Sequence, residues 1–304
     1  MSEETITAAS ACQALREAGI ALSPSELRID HREERWAVWL PADRIAWFPG
    51  NGRGRQRLTV ERRVLRLLAE RCTFATPRIL FESPSGFDVR AMVPGHCDPW
   101  PLYERIKTDL PLARHIGQAI GAILVEQHTR VTKADVTGWL PDRVSWPEPA
   151  DWIRPRLAKV IDDTALIGSI GRALYTYESL SIDPADCALV HGDVGLHNLA
   201  VDPATNDVRG IFDYDSAAWA DRHHDVRYLV LAIAGEPVLE AALAVYEPAV
   251  GRTLDRNRIQ LYNAVCAASF LASRLGVPAE QKWCGRTLEE DVRWVRQALD
   301  CVQF

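Results

Sequence analysis

The sequence predicts an α+β fold of two lobes, a small antiparallel β-sheet lobe carrying one main helix and then a larger, mostly helical lobe. Two observations lead there. Short β-like runs crowd the first hundred residues around one long amphipathic stretch, whereas helical periodicity dominates the rest of the chain. At 304 residues the chain can hold one large domain or two lobes with a cleft between them.

Residues 6–18 have helical apolar spacing that ends at Gly19, and Ser23-Pro24 begins a new element. Strands are expected at Leu27–Asp30, Trp36–Leu40 and Arg44–Phe48, separated by the charged tip His31-Arg32-Glu33-Glu34-Arg35 and by Pro41-Ala42-Asp43, an antiparallel meander. Beyond Gly50-Asn51-Gly52-Arg53-Gly54-Arg55, the residues Val60, Val64, Leu65, Leu67 and Leu68 make one helix face. Strands at Arg78–Phe81 and Phe87–Met92 flank the Ser83-Pro84-Ser85-Gly86 turn, and Met92-Val93-Pro94-Gly95 reads as a hinge. The boundary is placed there, with an N-terminal lobe over 1–94 and a helical lobe over 95–304. Helices are expected at Leu110–His128, Trp152–Ile161, Ile167–Leu180, Val226–Ala234, Val238–Val250, Arg258–Leu275 and Thr287–Val302, interrupted only around 189–213. A Pro-rich connection holds Trp139, Trp146 and Trp152, aromatics that either line a substrate pocket or pack the connection onto the lobe.

Composition narrows the function. An apolar share of 47% and a charged share of 25% are those of a soluble globular protein, and no window approaches eighteen uninterrupted apolar residues. With no basic head and apolar run at the start, a cytoplasmic location without membrane partners is expected. The net charge of −6 argues against a nucleic-acid binder. Residues 1–100 hold 14 Arg and 13 Asp or Glu, leaving 21 Lys or Arg against 28 acids in the rest, a balance that would draw a cationic ligand to the helical lobe. The 7 cysteines are scattered without Cys-x-x-Cys spacing, so neither a disulfide framework nor a zinc cage is indicated. Neighbouring side chains such as His96-Cys97 and His223-His224 rarely converge on one metal.

The chemistry is concentrated between Leu189 and Tyr228. His191, Asp193 and Asn198 stand in the order His-x-Asp-x-x-x-x-Asn, and Ile211-Phe212 runs into Asp213. Phosphoryl transfer to an alcohol needs one carboxylate beside the hydroxyl and a second, with an amide oxygen, to hold magnesium against the phosphates. Asp193 suits the first role. A turn at Asp202–Asp207 joining Leu199–Val201 to Val208–Phe212 would bring Asn198 and Asp213 together for the second. Asp215, on the same face as Asp213 by the two-residue period, is the alternative metal carboxylate.

On these residues the stretch resembles the catalytic centre of the aminoglycoside phosphotransferase and choline kinase family, small-molecule relatives of the protein kinases. The family's His-Gly-Asp opening falls on His191, Gly192 and Asp193, its magnesium asparagine on Asn198, its metal carboxylate on Asp213, and its later Asp-x-x-x-Asp on Asp221 and Asp225. The resemblance implies a bilobal protein-kinase-like fold, ATP (or GTP) and Mg2+ as cofactors, His191 orienting the loop, and Asp221 and Asp225 bracing it. It further implies that Met92 and Val93 flank the nucleotide and that Glu61 is the helix glutamate paired with a basic strand residue. His128 matches a family histidine in the core. Gly192 stands where protein kinases have arginine, and a short stretch separates Asp213 from the next helix, so a peptide platform is missing and a small hydroxyl acceptor is expected.

Two positions depart from the pattern. The first β turn has no glycine, and Trp47 falls where the third strand should carry the basic residue. Arg53 and Arg55, in the glycine-rich segment before the helix, are the candidates to reach the phosphates, the other reading of that segment being a solvated loop. The leading expectation is a magnesium-dependent small-molecule phosphotransferase, a kinase with an alcohol acceptor. The competing one is a non-catalytic kinase-like binding protein with a degraded nucleotide site.

Overall fold

The computed structural model of the chain describes residues 5–229 and 235–304. Five antiparallel strands, β1 (Arg28–Arg32), β2 (Arg35–Leu40), β3 (Arg44–Pro49), β4 (Arg78–Glu82) and β5 (Asp88–Ala91), form one sheet in the order β1-β2-β3-β5-β4. Alternation along the strands gives the sheet two faces. Val38, Leu40, Ala46 and Phe48 pack against Ala11 and Leu15 of helix α1 (Ala8–Leu15), whose first turn is closed by a capping box between Thr7 and Ser10. Ala37, Trp39, Ile45 and Trp47, on the other face, line the cleft between the lobes.

The first hairpin differs from the expectation. Pairing continues to Arg32 opposite Arg35, so the tip is Glu33-Glu34 alone, with Glu33 at φ 52°. A run of charges resembles a turn in sequence, yet charges at alternate positions leave strand pairing intact. The glycine-rich segment differs too: α2 (Gly52–Arg71) starts inside it, capped by Asn51, whose side chain accepts from Gly54 N at 2.9 Å. Gly50 N donates to Glu34 O at 2.7 Å, and a Cβ at Gly50 or Gly54 would lie 2.9 or 2.1 Å from that same oxygen. These glycines let the hairpin tip dock on the helix start.

After Met92–Gly95 come α3 (Pro99–Ile106), which apolar periodicity does not reveal, α4 (Leu110–Arg130), α5 (Lys133–Val136), α6 (Ala150–Val160) and α7 (Thr164–Glu178). Strands β6 (Cys187–Val190) and β9 (Ala218–Asp221) pair around the hairpin of β7 (Leu199–Val201) and β8 (Val208–Ile211). Next in the chain are α8 (His223–Val226), α9 (Gly235–Val250), α10 (Arg256–Ser273) and α11 (Leu288–Asp300). Of the helix expected at Val226–Ala234, Val226 ends α8 and Arg227–Leu229 form a 3-10 turn; residues 230–234 lie outside the described residues. Helix α4 crosses α9 at close range, since a Cβ at Gly117 or Gly121 would come within 2.3 or 2.4 Å of the carbonyl oxygens of Val238 and Ala242. Among the described residues no helix is long and apolar enough to cross a membrane, and the cysteines are free thiols.

Candidate active site

The loop leaving β6 is held from behind by Asp225. Its carboxylate accepts from the backbone of His191 (2.9 Å) and Gly192 (2.8 Å), from Gln127 Nε2 (2.9 Å), and pairs with His128 Nε2 (3.0 Å). Burial pushes Asp225 up, but these partners, His128 first, hold it below the usual carboxylate range. Gly192 turns with φ +84°, and a Cβ there would lie 2.7 Å from Ser216 O, so the position excludes a side chain. Arg227, fully buried, donates to Gly192 O at 2.6 Å, a role that no motif in the sequence marks. Asp221, expected to brace the loop, instead accepts from His223 Nδ1 and Tyr262 Oη, both at 2.6 Å, and from Arg258, and so ties β9 to α8 and α10.

His191 Nε2 donates to Phe212 O at 2.9 Å while its Nδ1 accepts from Asp193 N at 3.2 Å, which links the loop to the end of β8. Asp193 Oδ2 lies 3.1 Å from His197 Nε2 and 3.0 Å from Asn198 Nδ2. Burial pushes Asp193 up, yet the hydrogen bond and charge of His197 hold it below its ordinary value; His197 is raised in turn by Asp193 against its own burial. His197 is not among the sequence candidates, although its place four residues after Asp193 is visible there. Asn198 Nδ2 also donates to Asp193 O at 2.9 Å, leaving its Oδ1 as the atom for a metal. Phe212 N donates to Asn198 O at 3.0 Å, and the hairpin thereby sets Asn198 beside Asp213.

Asp213 is left-handed at φ 70°, an uncommon conformation for a residue with a side chain. Its Oδ1 accepts no hydrogen bond, with Arg35 Nη2 at 3.8 Å. Burial first, then the charges of Asp215 and Glu61, raise it to about 7 despite Arg35. A carboxylate in that situation fits a cation. Among the described residues no three His, Cys, Asp or Glu side chains form a ready metal cage, and magnesium shared with phosphates asks for one or two protein ligands only. Asp215, by contrast, is bound by both Arg35 and Arg57.

Glu61 projects from α2 under the sheet, 2% exposed, and is shared by Arg90 Nη1 (2.7 Å) and Arg35 Nη1 (3.2 Å). The guanidinium of Arg35 lies over the ring of Trp47, 4.7 Å from its centroid. Trp47 therefore leaves Glu61 with partners, and they come from β5 and β2. Arg53 stands at the cleft mouth, 76% exposed and 3.3 Å from Glu34. Arg55 is not brought to the site: it donates to Ser85 O at the β4–β5 turn, because the helix that begins at Gly52 fixes its direction. Met92 and Val93 line the cleft, and Met92 N is already bonded to Asp43 O at 2.8 Å.

The cleft encloses about 1140 Å³ and holds Asp193, Asn198 and Asp213 on its floor. Its far end, in the helical lobe, is lined by Trp146, Tyr228, Phe270 and Trp283, with Glu148 and Arg143. Of the Pro-rich connection's tryptophans, Trp146 lines the site, while Trp139 and Trp152 pack beneath Arg63 and Arg156.

A family model described as a phosphotransferase enzyme family matches residues 25–262. A search of curated proteins by sequence gives no match. Among solved structures, the GDP and kanamycin complex of APH(2")-IIia is 16% identical, with 95% of this chain and 97% of that one covered at TM-score 0.69. Macrolide 2'-phosphotransferase MphH from Brachybacterium faecium, as apoenzyme, is 19% identical over 88% of this chain and 90% of that one, TM-score 0.60. Spectinomycin phosphotransferase APH(9)-Ia, with ADP and spectinomycin, is 12% identical over 98% of each, TM-score 0.66. At these identities the likeness shows a shared kinase-like fold.

Proposed function

This chain belongs to the phosphotransferase enzyme family, and on that premise we propose that it moves the γ-phosphoryl group of ATP, or of GTP, to a hydroxyl of a small molecule. The observation that carries this is the convergence of Asp193, Asn198 and Asp213 on one cleft floor between the lobes. Asp193 is ionised, and with Oδ2 engaged by His197 and Asn198 its Oδ1 is left to orient the acceptor hydroxyl and take its proton. Asn198 Oδ1 and Asp213 would hold magnesium, which when bound neutralises phosphate charge. His191 joins the two halves of the site, and Asp225 keeps the loop in place. Replacing Asp193 by Asn should leave the fold and nucleotide binding intact and cut turnover by about two to four orders of magnitude. Near-normal turnover by that variant, with a phosphorylated acceptor in hand, removes Asp193 from the role.

The acceptor end supports a narrower reading than charge balance does. Among the described residues, four aromatic rings with Glu148 and Arg143 at this end suit a hydroxyl compound with an apolar face and few charges. Its KM should change less than about threefold between roughly 50 and 500 mM salt. A steep rise would restore a polycationic acceptor. The second reading, a non-catalytic binding protein with a degraded nucleotide site, is favoured by Trp47, and is the outcome if neither ATP nor GTP binds in the presence of magnesium.

A further inference from the structure

Resting on the nucleotide reading, we propose that the phosphate-binding cation of this site has moved from β3 to β2. Arg35, seconded by Arg57 of α2, takes the phosphate oxygens, and Trp47 serves as the platform beneath Arg35.

Register places it. Ala37 of β2 is paired with Trp47 of β3 and Arg35 with Pro49, so Arg35, Ala37 and Trp39 share the pleat face that lines the cleft with Ile45 and Trp47. Arg35 is the member of that row nearest the hairpin tip. Its side chain is 5% exposed, one nitrogen 3.2 Å from Glu61 and another bonded to Asp215, with Asp213 at 3.8 Å. The charge thus stands between the helix glutamate and the carboxylate assigned to magnesium.

Trp47 has no charge to offer, but its ring lies 4.7 Å from the Arg35 guanidinium carbon, where a planar cation stacks. Two side chains divide what one long basic side chain on β3 would do alone. Arg90 cannot replace Arg35. It is 1% exposed and held by Asp88 at 2.6 Å as well as by Glu61, so it neutralises Glu61 from within the lobe. Arg35 is left with donors to spare, its buried Nε having no hydrogen-bond partner. Arg57 joins from the second turn of α2, one nitrogen on Asp215 and the other 2.7 Å from Glu33. Both guanidinium groups converge on one carboxylate, the geometry in which a dianionic phosphate competes well because it accepts from two forks. Arg53 and Arg55, bound toward Glu34 and Ser85, do not share this convergence.

The test is calorimetric titration of ATP, ADP, AMP and adenosine, with magnesium, into the wild type and the variants named below. Wild-type affinity is expected to climb with phosphate number. Arg35→Met should weaken ATP about 10- to 100-fold, the worth of one or two charge-assisted hydrogen bonds, and leave adenosine within about twofold. Arg57→Gln should weaken ATP about three- to tenfold, and Arg55→Gln should change nothing. Adding Trp47→Lys to Arg35→Met should recover at least about half of the lost binding free energy, because it returns the charge to β3. Arg35→Lys, which keeps the charge and the fold, should lose the fork and weaken ATP several-fold. Retention of ATP affinity within twofold by both Arg35 variants overturns the proposal, and so does a parallel loss of adenosine, which marks Arg35 as structural. If the wild type binds none of these, nor GTP or guanosine titrated in the same way, the phosphotransferase reading itself fails.

Discussion

Asp213 and Asp215 stand two residues apart and are employed differently. Asp213 is held in a left-handed backbone with an oxygen that accepts no hydrogen bond, while Asp215 is enclosed by two arginines. Asn198→Ala and Asp213→Ala should each raise the magnesium needed for half-maximal activity by about 10- to 100-fold. Asp215→Ala should change the nucleotide KM and leave the magnesium requirement alone, and the reverse pattern gives the metal to Asp215. The clustering of Asp193, Asn198 and Asp213 is legible in the sequence because they fall within one short stretch of chain folded back by a hairpin turn. Arg35 is hidden because its position depends on the register of β2 against β3. Counting it into the tip removes it from the pleat whose row it completes. Arg55 misleads for a related reason, since glycines that admit a backbone contact look, in a sequence, like glycines that cradle a phosphate.

Helix α4 presents two glycines, Gly117 and Gly121, where it crosses α9. A methyl at Gly121 would meet the backbone of Ala242 at 2.4 Å, so Gly121→Ala must push two core helices apart. A loss of about 1–3 kcal/mol in urea unfolding is expected. Gly168→Ala and Gly171→Ala on α7, where an added methyl meets nothing within 4 Å, should instead stabilise by about 0.5–1 kcal/mol. Equal responses at the two sites would show that the close crossing is not needed. Apolar periodicity locates α4 and α10 to within a few residues because it reports which face is covered. The same pattern says nothing about how near the covering helix comes, and α3, with prolines at its start, leaves too short a pattern to read.

Across the whole molecule, buried acid and base pairs tie the later elements together, and they set an acid limit. Burial raises Asp221, but the hydrogen bond and charge of His223, with Tyr262, hold it well below the usual carboxylate range. A depressed folded pKa contributes stability above the unfolded value of about 4, and that contribution is lost as pH falls below it. Asp221→Asn should therefore lower Tm at pH 7 and lower it less at pH 3, as scanning calorimetry across that range would record. A constant difference would mean the cost is packing alone. The backbone of the hairpin of β7 and β8 is tied to the first lobe: Ile211 N bonds to Ala75 O at 3.1 Å, and His96 and Val201 exchange bonds of 2.7 and 3.0 Å. Along that edge the lobes are sewn by main chain, whereas at the opposite edge they meet through the side-chain pairs of Arg35 and Arg57 with Asp215. Under the proposed reading, a phosphate that takes Arg35 and Arg57 from Asp215 loosens only the side-chain seam, and the main-chain seam that carries Asn198 and Asp213 is the one it leaves tied.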